Sequence, residues 1–147
     1  MKGKIIMSEF IKGYGHTAFR VSDMEASIKF YHDALGFEKA FELQDDNGDP
    51  WIVYMYIGDG QFIELFYGEK NGERARGSVG YEHLCLEAPD IHKTADNIVK
   101  TGYPLDASPD VKKDGNWQCW THDPDGNRIE IMQMNADSLQ KNYADTH

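Results

Sequence analysis

Gly13-Tyr14-Gly15-His16, in the first half of the chain, returns in the second half as Gly80-Tyr81-Glu82-His83. Other turn and cap residues recur at a nearly fixed offset of 66 or 67 positions. These residues are Asp23 with Asp90, Gly36-Phe37 with Gly102-Tyr103, and Gly60 with Gly126. One such match would be coincidence, but a constant offset through several positions indicates an internal repeat, and the repeat decides the fold.

Each repeat also places a glutamate, Glu64 or Glu130, between two aliphatic residues of an apolar run. His16 precedes the first glutamate by 48 positions, and His83 precedes the second by 47. A carboxylate buried without a partner is costly, so it needs a cation, a hydrogen-bond donor or a metal. One such glutamate is most simply a residue on the open face of a sheet. Two of them, each matched with a histidine, indicate a shared role.

Composition limits the classes of protein to which the chain can belong. Its 147 residues make one domain, and its hydrophobic share of 40% and charged share of 27% are typical of a soluble globular protein. The net charge of −10 and the pI near 4.9 argue against a nucleic-acid partner, because phosphates need a basic surface. No apolar run approaches the roughly 20 residues that span a bilayer, so no membrane partner is expected.

The N-terminal residues and the cysteines favour a cytoplasmic location. The stretch from Met1 to Met7 has two lysines, but its apolar run is too short for a signal peptide, and Met7 is an alternative start. Cys85 and Cys119 are the only cysteines. We interpret them as two buried thiols in a reducing compartment rather than as a disulfide.

The first half is predicted to fold as β-α-β-β-β. Alternation along its first strand puts His16, Ala18 and Arg20 on one face. Ser22 and Glu25 read as a capping box for the helix. The predicted elements are a strand over 13–21, a helix with Met24, Ile28, Tyr31 and Leu35 on its apolar stripe and Gly36 at its end, and strands over 37–43, 51–57 and 61–67.

The second half repeats this order. Its first strand, over 81–88, puts His83, Cys85 and Glu87 on one face. Pro104 and Pro109 interrupt the extended segment 103–111, which is therefore predicted to be an edge strand or partly irregular. The other predicted elements are a helix capped by Asp90, with Ile91, Ala95, Ile98 and Val99 facing inward and Gly102 at its end, strands over 117–121 and 128–134, and a short helix around Leu139. The resulting division is an N-terminal extension (1–12), a first module (13–67), a polar linker (68–79), a second module (80–134) and a C-terminal tail (135–147).

The pseudo-twofold repeat suggests how the four singled-out side chains could meet. If each half curls its sheet, the inward faces of the first and fourth strands meet at one cup. Two imidazole nitrogens and two carboxylate oxygens suit a borderline divalent metal such as zinc, nickel, cobalt, iron or manganese. We expect the four ligands to be His16, Glu64, His83 and Glu130.

These residues give the chain a likeness to a known family. From about Gly13 to Met134 it resembles the vicinal oxygen chelate superfamily, and most closely its glyoxalase I (lactoylglutathione lyase) branch. The matching stretches are His16 with Arg20-Val21 and Asp23, Phe30-Tyr31, Leu35-Gly36-Phe37, Ile63-Glu64-Leu65, Gly80-Tyr81-Glu82-His83, and Asp123-Pro124-Asp125-Gly126-Asn127 leading to Ile129-Glu130. The resemblance implies an α+β fold of two tandem βαβββ modules that form a curved mixed sheet around a metal cup, in agreement with the reading of the repeat.

The resemblance also implies roles for individual residues. His16, Glu64, His83 and Glu130 match the family's metal ligands, and a histidine at the first position is similar to the branch that prefers nickel or cobalt. Glu130 matches the base that moves a proton between the two carbons of a thiol hemithioacetal through an enediolate, with Glu64 able to share the task. Arg20 matches the arginine that binds a carboxylate of glutathione. The implied activity is conversion of a methylglyoxal hemithioacetal to a 2-hydroxyacyl thioester.

One position departs from the family pattern. Gly68 lies four residues after Glu64, where the family often has an asparagine that helps to bind glutathione, so the thiol stays open. Three other functions are compatible with the sequence: an extradiol dioxygenase, an epimerase, and a metal-free protein that binds a small molecule or confers resistance to it. The family commonly forms homodimers, and its cup can form within one chain or across two.

Overall fold

The computed structural model describes residues 9–10, 12–70 and 79–147, and it confirms the predicted α+β fold of two βαβββ modules. Residues 1–8, 11 and 71–78 lie outside the described part. They include most of the predicted N-terminal extension, with Met7, and most of the predicted linker. The elements are β1 (Thr17–Val21), α1 (Met24–Asp33), β2 (Glu38–Gln44), β3 (Pro50–Gly58), β4 (Gln61–Tyr67), β5 (Leu84–Glu87), α2 (Ile91–Lys100), β6 (Ala107–Val111), β7 (Trp117–His122), β8 (Arg128–Gln133) and α3 (Leu139–Thr146).

Each module forms its own four-stranded mixed sheet. The strand orders are β1-β4-β3-β2 and β5-β8-β7-β6, so the two sheets have the same topology. In each sheet the first strand runs parallel to the fourth, and the other pairings are antiparallel. The strand β6 lies at an edge, as Pro109 predicts, and it begins only at Ala107, so the predicted segment is irregular before that residue. The strands β1 and β5 lie at the opposite edges, and their outer sides have no strand partner within the described residues.

One hydrophobic core joins the two modules. Each sheet turns one face toward it, with Ile63 and Leu65 from β4 and Ile129 and Ile131 from β8 fully or almost fully buried. Both helices α1 and α2 contribute to the same cluster. Because side chains alternate along a strand, the residues between these aliphatic pairs lie on the other face of each sheet. Those open faces therefore point away from the shared core.

The helix caps correct one prediction. Asp23, not Ser22, is the N-cap of α1, and its side chain accepts a hydrogen bond from the backbone N–H of Ala26 at 3.0 Å. Ser22 instead donates from its backbone N–H and its hydroxyl to the carboxylate of Asp125 in the second module. The predicted capping box is wrong because this long-range contact takes the serine side chain. Asp90 caps α2 as predicted.

Two further predictions differ in detail. Val99 is 57% exposed, whereas Ile91, Ala95 and Ile98 are buried as predicted. Val99 is one residue beyond Ile98 and therefore about 100° around the helix, which takes it off the stripe. The strands β1 and β5 begin later than predicted, since their parallel pairing starts only at Thr17 and Leu84.

The turn after β7 ties the modules together. Asp123 is buried and accepts hydrogen bonds from the hydroxyl of Tyr31 at 2.9 Å, the side-chain amide of Asn127 at 2.8 Å, and the backbone N–H groups of Asp125 and Asn127. Burial raises the pKa of Asp123, and these hydrogen bonds oppose that rise. The Asp-Pro-Asp-Gly-Asn motif is thus a structural joint between α1 and the second sheet.

Candidate metal centre

The first His–Glu pair lies on the open face of the first sheet. The Nε2 atom of His16 is 3.3 Å from Oε1 of Glu64, and the two side chains are 50% and 8% exposed. The carboxylate is on this face because its neighbours along β4 point into the core. Ala18 is the parallel partner of Glu64, and His16 precedes Ala18 by two residues, which puts the imidazole on the same side of β1.

A tyrosine holds the carboxylate of this pair. Tyr54 is the antiparallel partner of Glu64 on β3, and its ring stacks on Phe41 at 4.4 Å between centroids. A hydrogen bond to Glu64 raises the pKa of the Tyr54 phenol. The sequence analysis did not single out Tyr54. Its position ten residues before Glu64, matched by Trp120 ten residues before Glu130, is the signal that could have identified it.

The second pair occupies the equivalent place on the open face of the second sheet. The Nε2 atom of His83 is 3.0 Å from Oε2 of Glu130, and the side chains are 30% and 11% exposed. Trp120 is the antiparallel partner of Glu130, and its ring packs edge-on against His83 at 4.8 Å between centroids. The guanidinium of Arg128 lies 4.5 Å from the centre of the Trp120 ring and forms an ion pair with Glu82. Here the histidine, rather than the glutamate, is the restrained member.

Cys85 lies beside Glu130 as its parallel partner on β5. The expectation that both thiols are buried is wrong for Cys85, which is exposed because it lies on the open face, and correct for Cys119. Desolvation of the sulfur and the neighbouring Glu130 carboxylate raise the pKa of the Cys85 thiol to about 12. The group is therefore a neutral thiol at physiological pH.

Each pair has the spacing that a metal requires. Imidazole and carboxylate ligands bind a divalent metal at about 2.0–2.2 Å, so two ligands at right angles have donor atoms roughly 3 Å apart. The observed separations of 3.3 Å and 3.0 Å fit that spacing. The glutamates are buried with few partners, which also suits a site built to bind a cation.

The two pairs do not meet within one chain. Among the described residues, no three histidine, cysteine, aspartate or glutamate side chains come close enough together to hold a metal ion. This agrees with the two open faces pointing away from one shared core. The expectation that each sheet turns its ligands toward a common cup is therefore not met by a single copy, which presents two half-sites.

Arg20 lies further along the first open face. Its guanidinium donates to the carbonyl of Tyr67 at 3.0 Å and lies 5.6 Å from the centre of the Phe66 ring. A pocket of about 370 Å³ opens beside it, between β1, the start of the linker and the turn after β7. Gly68 lines the same pocket. The structure thus places Arg20 and Gly68 together at the edge of the candidate site.

Three further histidines have ordinary partners. His122 contacts the carboxylate of Asp106 at 2.9 Å, and Nδ1 of His32 lies 2.9 Å from the carbonyl of Phe37. His92 packs edge-on against Trp117. None of these three lies with either His–Glu pair. No helix of the described chain is both long and apolar enough to cross a membrane.

Two βαβββ modules, each with a four-stranded mixed sheet and a His–Glu pair on its open face, define the class of α+β protein to which the chain belongs. The chain belongs to the Glyoxalase/Bleomycin resistance protein/Dioxygenase superfamily, whose family model matches residues 13–131. Membership implies a divalent metal ion and a small-molecule substrate, and the donor set of the two half-sites is compatible with both.

Similar proteins of known name belong largely to the glyoxalase I branch. The probable lactoylglutathione lyase of Vibrio cholerae is 30% identical over 80% of this chain and 88% of its own length. The corresponding protein of Synechocystis is 29% identical over 82% of this chain and 95% of its own length. Among solved structures, a glyoxalase family protein from Enterococcus faecalis superposes with a TM-score of 0.72 at 24% identity, over 84% of this chain and 98% of that one.

Proposed function

We propose that this protein is a metal-dependent lyase and isomerase of the glyoxalase I type. Its substrate would be the hemithioacetal that a thiol forms with a 2-oxoaldehyde such as methylglyoxal, and its product a 2-hydroxyacyl thioester. The observation that carries the proposal is the duplicated pair of a histidine and a buried glutamate, with donor atoms 3.0–3.3 Å apart. The names of the relatives that are about 30% identical support the same reaction.

The active unit of this proposal is a homodimer. One copy exposes both half-sites, so a second copy must face His16 and Glu64 toward His83 and Glu130 of the first to complete a four-ligand site. Three features favour such an assembly. The half-sites lie on open faces, the edges of β1 and β5 beside them are free within the described chain, and the first face carries exposed large apolar side chains. These include Phe41, Leu43, Trp51 and Tyr56.

The metal would be held by His16, Glu64, His83 and Glu130, with nickel or cobalt favoured by the histidine at the first position. When bound, it acts as a Lewis acid that lowers the cost of negative charge on the substrate oxygens during proton transfer. Tyr54 keeps the Glu64 carboxylate in place, and Trp120 keeps the His83 ring in place. Such supporting contacts fix the orientation of ligands that would otherwise rotate.

Glu130 is the proposed proton carrier. Its carboxylate takes the proton from the carbon that bears the hydroxyl and the sulfur, and returns it to the neighbouring carbonyl carbon, while the hydroxyl proton passes to the oxygen of that carbonyl. The first carbon is thereby oxidised to the thioester level and the second reduced to a secondary alcohol. No outside oxidant or reductant is needed. Trp120 lies beside the pair, as the strand partner of Glu130.

The test combines metal analysis with an assay of several thiols. Protein purified without chelator should contain about one divalent metal per chain, and it should convert methylglyoxal hemithioacetals to thioesters, followed by absorbance at the thioester band. A protein that binds metal but isomerises no hemithioacetal would favour another reaction of the superfamily, such as a dioxygenase or epimerase. A protein that binds no stoichiometric metal would refute both enzyme readings and favour a metal-free binding protein.

A further inference from the structure

Gly68 lies where the chain has no room for a side chain. Its backbone N–H donates to the carbonyl of Val21 at 2.9 Å, which extends the parallel pairing of β1 and β4 by one bond. A Cβ atom at this position would lie 2.8 Å from that carbonyl oxygen and 2.8 Å from Cγ of Arg20. Real Cβ atoms essentially never approach other atoms below 3.0 Å. The constraint is therefore one of space, and a residue with any side chain would have to displace β1 or Arg20.

The space beside Gly68 is filled by the stem of Arg20. The aliphatic part of this side chain crosses the glycine, and this route brings the guanidinium to the carbonyl of Tyr67 and near the ring of Phe66. The aliphatic part of this arginine packs on the strand, and its guanidinium is already hydrogen-bonded. The side chain therefore loses little further conformational entropy when it binds an anion. Gly68 thus determines where the guanidinium stands.

The charge of Arg20 is available to a ligand. Arg20 is the only cationic residue among the described residues that line the 370 Å³ pocket, whose other charged residues are Glu69 and Asp125. Asp125 is already bound by the backbone and the hydroxyl of Ser22 and so does not pair with Arg20. Arg20 and Ala18, the partner of Glu64, are two residues apart, about 7 Å along the strand. Arg20 therefore lies on the same face of β1 as the half-site, at the next position along that face.

We propose that Gly68 is a positioning residue: because it has no side chain, it lets the Arg20 guanidinium take the position in which this arginine would bind a carboxylate of the thiol carrier, the role that the family resemblance implies for it. This proposal rests on the proposed function, since it assigns the carrier end of that substrate. With glycine at position 68, the charge of Arg20 and the size of the pocket determine which thiol carrier binds.

The experiment compares Gly68→Ala, Arg20→Met and the double variant with hemithioacetals of methylglyoxal and two thiols, anionic glutathione and neutral 2-mercaptoethanol. With glutathione, each single variant should raise KM about tenfold to hundredfold and leave kcat within about twofold, which corresponds to loss of one charge-assisted contact. The double variant should be no worse than Arg20→Met, because the two residues act as one unit. With 2-mercaptoethanol none of the variants should change KM.

Two controls keep the test decisive. Gly13→Ala is the matched glycine control, because a Cβ at Gly13 would meet nothing within 4 Å, and it should behave as wild type. Arg20→Lys keeps the positive charge but lacks the planar guanidinium that bonds to the carbonyl of Tyr67. It should therefore also raise KM for the glutathione adduct. It tests the position of the charge even if Gly68→Ala fails to fold, which a thermal melt would reveal.

The outcomes separate this inference from the proposed function. Any one of three results would overturn the role of Gly68. A folded Gly68→Ala variant could keep the wild-type KM for the glutathione adduct, or the effects on KM could be additive in the double variant. The third such result is an equal rise in KM with 2-mercaptoethanol. Failure of the wild-type protein to isomerise any hemithioacetal would instead refute the proposed function. In that case calorimetric titration with S-methylglutathione still tests the pocket: binding that Arg20→Met and Gly68→Ala both weaken supports it, and binding that neither changes refutes it.

Discussion

The two His–Glu pairs occupy equivalent positions in the two modules, but their neighbours differ. In the first pair, Tyr54 hydrogen-bonds the glutamate, and the strand partner of that glutamate is Ala18. In the second, Trp120 packs on the histidine, and the strand partner of the glutamate is Cys85. The two modules therefore share the same donor atoms, but different side chains restrain those atoms in each module.

This difference indicates that the two glutamates have different roles. Glu64 is held by a phenol that is itself stacked on Phe41, so its carboxylate is suited to remain a fixed ligand. Among the residues that the structure describes, the side-chain partners of Glu130 are its histidine and a thiol, which is a weak hydrogen-bond donor. Its carboxylate can reorient more easily, as a group that takes up and returns a proton must.

The largest effect is expected from the two glutamates. Glu130→Gln should lower kcat by about a thousandfold at saturating nickel, because the amide cannot accept the proton, while an amide oxygen still supports metal binding. Glu64→Gln should chiefly weaken nickel binding and regain much of its kcat when nickel is in excess. The measurements are kcat as a function of added nickel and the metal content after dialysis. Equal losses of kcat in both variants at saturating nickel would contradict the different roles assigned to Glu64 and Glu130.

Removal of the Tyr54 hydroxyl should have the next largest effect. Tyr54→Phe should weaken nickel binding about tenfold to hundredfold, since contacts that orient a ligand typically contribute that much. The measurement is calorimetric titration of the metal-free protein with nickel. Tyr56→Phe is the matched control. Tyr56 lies on the same face of β3, but its hydroxyl accepts from the backbone of Gly60 and does not contact Glu64. If both variants bind nickel equally, Tyr54 has no role in holding the pair.

Trp120→Tyr makes the second pair resemble the first. The new phenol would hydrogen-bond Glu130 and hold it as Tyr54 holds Glu64, and one added hydrogen bond of about 1 kcal/mol would lower kcat about fivefold. Nickel affinity should fall as well, because the smaller ring gives up part of the packing that keeps the His83 ring in place. The measurement is the pair of values, kcat at saturating nickel and the nickel dissociation constant. An unchanged kcat in a folded, nickel-loaded variant would show that mobility of Glu130 does not limit the reaction.

The smallest effect is expected at Cys85. Cys85→Ala reproduces the Ala18 of the first module and should leave kcat within about twofold, because a neutral thiol is a weak donor. In the metal-free protein, a thiol with a pKa of about 12 has almost no thiolate at pH 8. Despite its exposure, Cys85 should react with iodoacetamide more than about a hundredfold more slowly than free cysteine, and the rate should rise with pH toward 12. Alkylation as fast as that of free cysteine would contradict the assigned environment.

The sequence alone predicts the repeat, both modules, both helices and the pairing of each histidine with its glutamate. These features rest on local patterns: strand alternation, the Asp90 cap and the glycines that end the helices. It does not predict that both open faces point away from the shared core, because that depends on which sheet faces the helices cover when the modules pack. The prediction that Ser22 caps α1 is wrong for a similar reason, because its hydrogen-bond partner Asp125 is 103 positions away in the sequence. The roles of Tyr54 and Trp120 require the strand register.

The central claim is that two copies of the chain complete each metal site. It is tested most directly by co-expressing one chain carrying His16→Ala and Glu64→Ala with another carrying His83→Ala and Glu130→Ala. Each double variant alone should be inactive. If the sites form across the dimer, half of the randomly assembled dimers are mixed and each has one intact site, so about a quarter of the wild-type activity should return. No recovery in mixed dimers that are shown to form would contradict the claim.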